Sequence, residues 1–244
     1  MNRSLYSPVY ADKMLAPSAK HIFGTDYLGR DMFFRTLKGL SASILIGTLA
    51  ATSSAIIALA LGLLSALRGG ITDKIVSWFV DLFMSIPHLV LLMLVSYMLG
   101  KGERGVIIAI AITHWPGLTR LLRAEVLQVR DAPFVKTAAR LGSTPLQIAA
   151  EHIVPHILPQ FITGLILLFP HAILHEAAIT FIGFGLALDT PAIGIILSES
   201  LAHISQGAWY LVFFPGTVLV VIVMLLDKLG EYVKLLADPM NAQE

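Results

Sequence analysis

Long apolar stretches dominate this chain and restrict it to folds that place helices in a lipid bilayer. A helix needs about 20 consecutive, mainly apolar residues to cross the hydrocarbon core. Charged residues make up only 14% of the 244 residues, whereas a typical soluble domain has about 25%. The sequence therefore predicts an all-α, multi-pass membrane protein with about five transmembrane helices, over residues 40–67, 76–99, 105–122, 157–186 and 209–235.

The fourth predicted span and the loop after it have unusual features. Pro159, Gly164 and Pro170 lie inside the span, and these residues predict a broken helix. The loop that follows has an apolar centre over residues 193–204. We expect this centre to form a short helix that dips into the membrane, and we expect residues 186–208 to lie on the extracytoplasmic side.

The distribution of lysine and arginine predicts the orientation of the chain, because cytoplasmic loops carry an excess of these residues. Only Lys101 and Arg104 fall in loops that we place outside, and six of the 17 basic residues lie within residues 1–38. An odd number of spans would place these six outside as well, against the rule. The other basic residues lie in predicted cytoplasmic regions: Arg68, Lys74, Arg120, Arg123, Arg130, Lys136, Arg140, Lys228 and Lys234.

A polar segment at residues 131–161 predicts two short helices joined at residues 141–143. Gly142 suits a helix C-terminus and Ser143 an N-cap, with Pro145 in the first turn of the second helix. An ordinary polar loop between two spans fits the composition equally well. The residues alone therefore leave both interpretations open.

This segment resembles the coupling loop of ABC importer permeases, whose pattern is Glu-Ala-Ala, a glycine four residues after the triplet and an Ile-x-x-Pro-like ending. Lys136, Thr137 and Ala138 stand at the triplet, Gly142 at the glycine and HIVPHILP at the ending. Only Ala138 matches the triplet, and Lys136 reverses the charge of the family's glutamate. That departure questions a glutamate-mediated contact but not the docking of a partner.

Two further blocks resemble the peptide and nickel branch of this family. GTDYLGRD at residues 24–31 is similar to its Gly-Thr-Asp-x-x-Gly-Arg-Asp signature, and TFIGFG at residues 180–185 is similar to its Phe-Leu-Gly-Leu-Gly block. The resemblance implies the helical bundle of a type I (MetI-like) ABC importer permease. That family has six helices, one of them before the first block, so we expect this chain to lack the family's first helix.

The resemblance also implies a domain plan and a set of partners. Residues 1–38 would be an extramembrane or interfacial segment, 39–238 the transmembrane domain and 239–244 a tail. The partners would be a second homologous permease, two ATP-binding-cassette ATPases and an extracytoplasmic binding protein, assembled at the cytoplasmic membrane. The ATPases would dock on a coupling segment, residues 131–156, chiefly at Lys136, Thr137, Ala138, Leu141, Gly142 and Pro155.

The sequence excludes several kinds of catalytic site in this chain. No Gly-x-x-x-x-Gly-Lys-Ser/Thr phosphate loop and no Gly-x-Ser-x-Gly nucleophile elbow occur. The absence of cysteine excludes disulfides and thiolate metal sites. We therefore expect no enzyme activity and no cofactor here, with ATP and Mg²⁺ bound by the partner ATPases.

Three ionisable residues interrupt the fourth span and are candidates for a substrate pathway. His171 and His175 are four residues apart and share one helix face, and Glu176 is adjacent. Imidazoles suit Ni²⁺ and similar ions, although histidines that pack between helices explain the pair equally well. The His-x-x-x-His pair and the Thr-His-Trp run at His114 resemble the nickel branch. Weaker candidates are His88 and His203.

The leading functional prediction is a permease subunit that imports nickel or a divalent-metal chelate. The alternative keeps this architecture but carries dipeptides or oligopeptides. A third hypothesis is a proton-coupled secondary transporter that uses the histidines and Glu176 as a relay. The sequence shows no inverted repeats of the kind common in that class, which disfavours the third hypothesis.

Overall fold

Helices account for nearly all regular structure in residues 7–237, the part of the chain that the computed structural model describes. Thr25 and Asp31 form an isolated antiparallel bridge within this part. The prediction of an all-α fold is therefore confirmed. The α-helices are α1 (Met32–Arg68), α2 (Gly70–Ser85), α3 (His88–Met98), α4 (Gly102–Thr113), α5 (Trp115–Arg130), α6 (Pro133–Arg140), α7 (Pro145–Ile148), α8 (Val154–Phe181), α9 (Ile193–Leu201) and α10 (Tyr210–Ala237).

Several of these helices are long and apolar enough to cross a membrane. Among the described residues there are four such stretches: Met32–Arg68, Gly102–Arg130, Pro145–Phe181 and Tyr210–Leu236. Helices α2 and α3 together form a fifth candidate span, which is bent by 99°. The predicted number of about five spans agrees with these four or five candidate spans.

The sequence predicted one continuous helix over residues 76–99, the second span. The structure has two helices there instead, α2 and α3. Helix α2 ends at Ser85, and Ile86 is extended, with φ −87° and ψ 135°. A residue before proline avoids the helical conformation because the proline ring clashes with it, and Pro87 supplies that ring. The Ile86–Pro87 step therefore ends α2, and α3 starts in a new direction.

The predicted break in the fourth span is wrong. Helix α8 continues through Pro159, Gly164 and Pro170 to Phe181. Each proline removes one backbone hydrogen bond, a loss that neighbouring groups in a membrane bundle can make good. Gly164 serves packing, because a Cβ atom there would lie 2.3 Å from Cδ1 of Leu118 in α5.

The chain forms two compact units, and α1, α3, α4, α8 and α10 each contribute a segment to both. Of the described residues, unit 1 contains 7–49, 92–109 and 170–225. Unit 2 contains 50–91, 110–169 and 226–237. Each unit has its own buried contacts.

Small residues of α1 organise the core of unit 2. Ala55 and Ala58 pack in a buried cluster with Val76, Val80, Trp115, Leu118 and Leu122. Eight residues after Ala58 on α1, Ala66 packs in a second cluster with Val126, Val129, Val135, Ile153 and Ile157. The second cluster attaches α6 to the longer helices, so the polar segment predicted from the sequence has a fixed base.

Close helix contacts also define unit 1. Helices α1 and α8 approach at Gly47, where a Cβ atom would lie 2.6 Å from Cγ1 of Ile173. Helix α9 approaches α8 at Gly194, where a Cβ atom would lie 2.4 Å from the carbonyl oxygen of Ala177. The prediction of a short helix in the loop after α8 is confirmed, and residues 193–196 of that helix are buried in protein.

Within unit 1, largely buried ion pairs hold the Gly-Thr-Asp-x-x-Gly-Arg-Asp block to α9. The carboxylate of Asp26, which is 2% exposed, contacts Arg30 at 2.6 Å and Arg35 at 3.1 Å. Both guanidinium groups also reach Glu199 of α9, at 2.9 Å and 2.5 Å. Burial lowers the pKa of Arg30, but Asp26 and Glu199 raise it by more, so the group stays charged. We call these four residues the ion-pair network.

Candidate functional site

The predicted coupling segment contains a helical hairpin of α6 and α7, which we call the coupling hairpin. Gly142, just past the end of α6, has φ +95°. Its N–H donates to the carbonyl of Ala139 at 3.2 Å, and the N–H of Ser143 donates to the carbonyl of Ala138 at 3.1 Å. This pair of bonds is a Schellman motif, and the prediction that Gly142 ends the first helix is confirmed.

The N-cap of the second helix is Thr144 and not Ser143 as predicted. The hydroxyl of Thr144 accepts from the N–H of Gln147 at 3.3 Å, and the side-chain carbonyl of Gln147 accepts from the N–H of Thr144 at 2.8 Å. Pro145 occupies the first helical position and favours an extended residue before it. The N–H of Ser143 already serves the Schellman motif, so the cap falls one residue later.

The predicted coupling residues lie at the surface of unit 2. Val135 faces the core with 4% exposure, while Leu141 and Leu146 are 82% and 79% exposed. Two large, exposed apolar side chains on a hairpin with a fixed base suit burial against a partner protein. Of the six predicted residues, Ala138 is half-buried and the others are exposed: Lys136, Thr137, Leu141, Gly142 and Pro155.

We expect Gly142→Trp to uncouple transport from ATP hydrolysis. No atom lies within 4 Å of a Cβ at this position, so the indole would project outward, and the positive φ adds about 1–2 kcal/mol of strain. Gly207→Trp is a matched control, since Gly207 lies in the left-handed region with φ +84° and has equally open surroundings but lies outside the hairpin. Uptake and ATPase activity of the assembled transporter measure the effect. Equal losses of uptake in both variants would show that strain, and not the surface, is responsible.

Glu176 lies on the buried face of α8, with 0% exposure. Its Oε1 accepts a hydrogen bond from the hydroxyl of Thr180 at 2.9 Å, and Ser43 of α1 lies beside it. The Thr180 hydroxyl in turn accepts from the N–H of Leu186 at 3.2 Å. The carboxyl group therefore connects α8 with α1 and, through Thr180, with the start of the loop after α8.

We expect Glu176→Ala to destabilise the protein more than Glu176→Gln. Alanine leaves the Thr180 hydroxyl buried without its acceptor, which costs about 1–3 kcal/mol. Glutamine keeps a carbonyl oxygen at the same place. Thermal unfolding of the purified variants measures the difference, and an equal loss of stability in both would contradict the assigned acceptor role.

His171 and His175 do not share the buried surroundings of Glu176. His171 is exposed and His175 is half-buried. Nδ1 of His175 lies 2.8 Å from the carbonyl oxygen of His171, because side chains on a helix point back toward its N-terminus. The structure therefore keeps the two histidines together, as predicted, and separates exposed His171 from the buried carboxyl group.

His114 lies in unit 2, at the N-cap of α5, and is buried. Its Nδ1 is 3.1 Å from the carbonyl oxygen of Ile110 and 3.2 Å from the hydroxyl of Thr113. The ring packs edge-on against the ring of His88, with 4.4 Å between centroids. Sequence reasoning did not pair these histidines, although each stands at an interruption between helices.

Three charged residues that sequence reasoning did not group line a surface between α2 and α5, which we call the charged groove: Asp81, Arg120 and Arg123. Asp73 and Arg123 form two contacts, Nε to Oδ1 at 2.5 Å and Nη2 to Oδ2 at 2.6 Å. Asp81 and Arg120 form a second pair at 2.7 Å. The sequence does contain a signal for this groove, because Asp73, Ser77 and Asp81 recur at intervals of four.

Comparison with known protein families identifies the family of this chain. Residues 58–234 match the model of a family described as "Binding-protein-dependent transport system inner membrane component". The chain belongs to this family of ABC importer permeases. It is therefore a multi-pass protein of the inner membrane and a transport subunit, as the sequence predicted.

Several curated relatives of this permease are named as peptide permeases. The oligopeptide transport system permease protein OppC of Bacillus subtilis (strain 168) is 34% identical over 94% of this chain and 74% of its own length. The dipeptide permease DppC of the same strain is 29% identical over 93% of this chain and 71% of its own length. The probable D,D-dipeptide permease DdpC of Escherichia coli (strain K12) is 34% identical over 93% of this chain and 76% of its own length.

Solved structures share the fold of this permease. The MetNI methionine ABC transporter in an inward-facing conformation aligns with a TM-score of 0.69 at 20% identity, over 85% of this chain and 98% of that chain. An amino acid ABC transporter with histidines aligns with a TM-score of 0.64 at 18% identity, over 83% and 94%. The predicted MetI-like permease fold is confirmed.

Proposed function

We propose that this permease imports dipeptides or oligopeptides across the cytoplasmic membrane. The observation that carries the proposal is the similarity to OppC and DdpC, both named for peptide transport, over more than nine tenths of this chain at 34% identity. Our leading prediction from the sequence, nickel or a metal chelate, has no comparable support. The peptide alternative is therefore the cargo that we adopt.

We further propose that the working transporter has several subunits. The family description names a binding protein, and a chain without a phosphate loop needs an ATPase. We assign one homologous permease, two ATPases that bind ATP and Mg²⁺, and an extracytoplasmic binding protein. The ATPases dock on the coupling hairpin at Leu141, Gly142 and their neighbours, where closure on ATP moves the hairpin and the helices attached to its base.

Uptake by the reconstituted transporter tests this function. The permease, its partner permease and the ATPases are placed in liposomes, with the binding protein outside and ATP inside. We expect accumulation of a radiolabelled tripeptide that requires both ATP and the binding protein. Accumulation of radioactive Ni²⁺ without any accumulation of peptide would overturn the proposal.

A metal or metal-chelate cargo is the second candidate, favoured by the contact between the imidazole rings of His88 and His114. If the cargo is a peptide, His114, His171, His175 and Glu176 need not act as ligands. They then contribute to the packing and surface of the helices.

The double variant His171→Ala/His175→Ala separates these two candidates. For peptide cargo we expect peptide uptake per inserted protein to stay within about twofold of the wild type, as for other surface changes. A metal cargo predicts instead a large fall in Ni²⁺ uptake at unchanged protein abundance. Uptake of both cargoes, normalised to membrane-inserted permease, distinguishes these results.

A further inference from the structure

We propose that the charged groove between α2 and α5 binds the two charged ends of a peptide during its passage, with Arg120 contacting the carboxylate and Asp81 the ammonium group. This inference rests on the proposed peptide function. It assigns a substrate-binding surface within unit 2 to residues that belong to neither the coupling hairpin nor the histidine positions.

The groove has the size and the walls of a small-ligand site. Residues of α2 and α5 line an open cavity of about 290 Å³, close to the lower limit of the range of about 300–1,000 Å³ that is typical of ligand pockets. Its lining combines apolar and polar side chains: Val76, Ser77, Val80, Asp81, Thr119, Arg120 and Arg123. A dipeptide in extended form is roughly 7 Å long, so the cavity can hold one.

Asp81 and Arg120 form the outer ion pair of the groove, and their exposure limits which surroundings can cover them. The side chains of Asp81 and Arg120 are 70% and 55% exposed in this chain, although both lie in segments long and apolar enough to be membrane spans. A charged side chain at the centre of a bilayer costs about 3 kcal/mol or more. The groove therefore faces water or another polar surface and does not face lipid.

The inner ion pair, Asp73 with Arg123, has more hydrogen bonds than the outer ion pair, Asp81 with Arg120. Arg123 binds Asp73 through two nitrogens, and Ser65 also donates to Asp73. The carboxylate of Asp73 thus has three donors, and the pair is 24–30% exposed. Arg120 and Asp81 share one contact at 2.7 Å and are mostly exposed. The inner pair is built to persist, whereas the outer pair can exchange partners.

A zwitterion is the ligand that suits an exchangeable ion pair. Its carboxylate can replace Asp81 on Arg120, and its ammonium group can replace Arg120 on Asp81, so no charge is left without a counter-charge. Exchange of this kind costs little because the one charge-assisted contact that is broken, between Arg120 and Asp81, is replaced by two with the ligand. Val76 and Val80 offer apolar contact without a directional requirement, which accommodates varied peptide side chains.

Cysteine labelling tests whether the groove is open and occupied. The permease has no cysteine, so Ser77→Cys in the groove introduces a single thiol into this chain. In the complete transporter we expect a water-soluble maleimide to label it, and a transported tripeptide to slow the labelling about tenfold. Absence of labelling would mean that lipid or the second permease covers the groove, and labelling that the peptide does not slow would mean that the peptide binds elsewhere. Either result overturns the proposal.

Peptides with blocked ends test the assigned contacts. N-acetylated and C-amidated tripeptides are chosen to bind the binding protein as well as the free tripeptide does. We expect Asp81→Asn to lose the preference for a free N-terminus and Arg120→Gln the preference for a free C-terminus, each by about tenfold. Glu231→Gln and Lys228→Gln alter another exposed ion pair, at 54% and 62% exposure, and should change neither preference.

The outcomes separate this proposal from the peptide function itself. If the wild type accumulates the tripeptide but Asp81→Asn and Arg120→Gln keep both preferences, the groove assignment is wrong and the peptide function stands. If the wild type accumulates no tripeptide, both are wrong. If the variants lose the second permease on purification, the groove is a subunit interface and the binding proposal falls.

Discussion

Replacing Leu141 and Leu146 together by glutamate is expected to abolish ATP-driven uptake and leave the permease folded. Their side chains are 82% and 79% exposed, so the change removes almost no packing within this chain. A partner that covers the hairpin would have to bury carboxylates without counter-charges, which costs about 3–5 kcal/mol for each such charge. We therefore expect uptake to fall by more than about 100-fold.

Leu141→Met/Leu146→Met is the matched control, because methionine keeps an apolar side chain of similar volume. This control should retain near-normal uptake. Both double variants should reach the membrane at wild-type abundance, and co-purification of the ATPases should fail only for the glutamate variant. Normal uptake by the glutamate variant would place the docking surface elsewhere.

Loss of Arg35 is expected to have the largest effect on stability. Its side chain is 5% exposed and lies between Asp26 and Glu199, at 3.1 Å and 2.5 Å. Arg35→Met removes one positive charge from a buried set of two arginines and two carboxylates. Breaking a buried pair by removing one partner costs about 3–5 kcal/mol, and Arg30 would then be the one positive charge left in the network to balance both carboxylates.

Thermal unfolding of the detergent-solubilised transporter measures this loss. Lys20→Met is the control from the nearby segment before α1, because Lys20 pairs with Asp12 at 3.2 Å but is 73% exposed. Exposed pairs contribute about 0–1 kcal/mol, so the control should unfold near the wild-type temperature. An unchanged unfolding temperature for Arg35→Met would mean that the ion-pair network does not hold the block to α9.

The coupling hairpin illustrates how far local reasoning extends. Gly142 and Pro145 predict the end of one helix and the start of the next because their backbone preferences act within a few residues. The error at the cap, Ser143 in place of Thr144, is one residue. Which face of the hairpin is exposed depends on Val135 meeting Ala66, 69 positions earlier in the chain, and the sequence pattern does not show that contact.

The candidate pathway residues illustrate the opposite case. The interval between His171 and His175 correctly predicts that they lie together, because a helix places residues four apart on one face. The same interval suggested nickel, yet the relatives are named for peptide transport. Side-chain type and spacing are shared by ligand sites and by packing contacts, so they do not identify a cargo.

The sequence by itself determined that this protein is an all-α membrane protein with about five spans, because apolar length is a local property that the bilayer thickness converts directly into a helix. Through its motifs it also determined the permease family, and that resemblance favoured the hairpin over the ordinary polar loop that the residues alone left open. Only the tertiary structure decided that Arg35 pairs with Glu199, 164 positions away, and that Arg123 pairs with Asp73, 50 positions away. These contacts depend on which helix faces meet, and close approach at Gly47 and Gly164 sets those faces through packing that no short stretch of sequence contains.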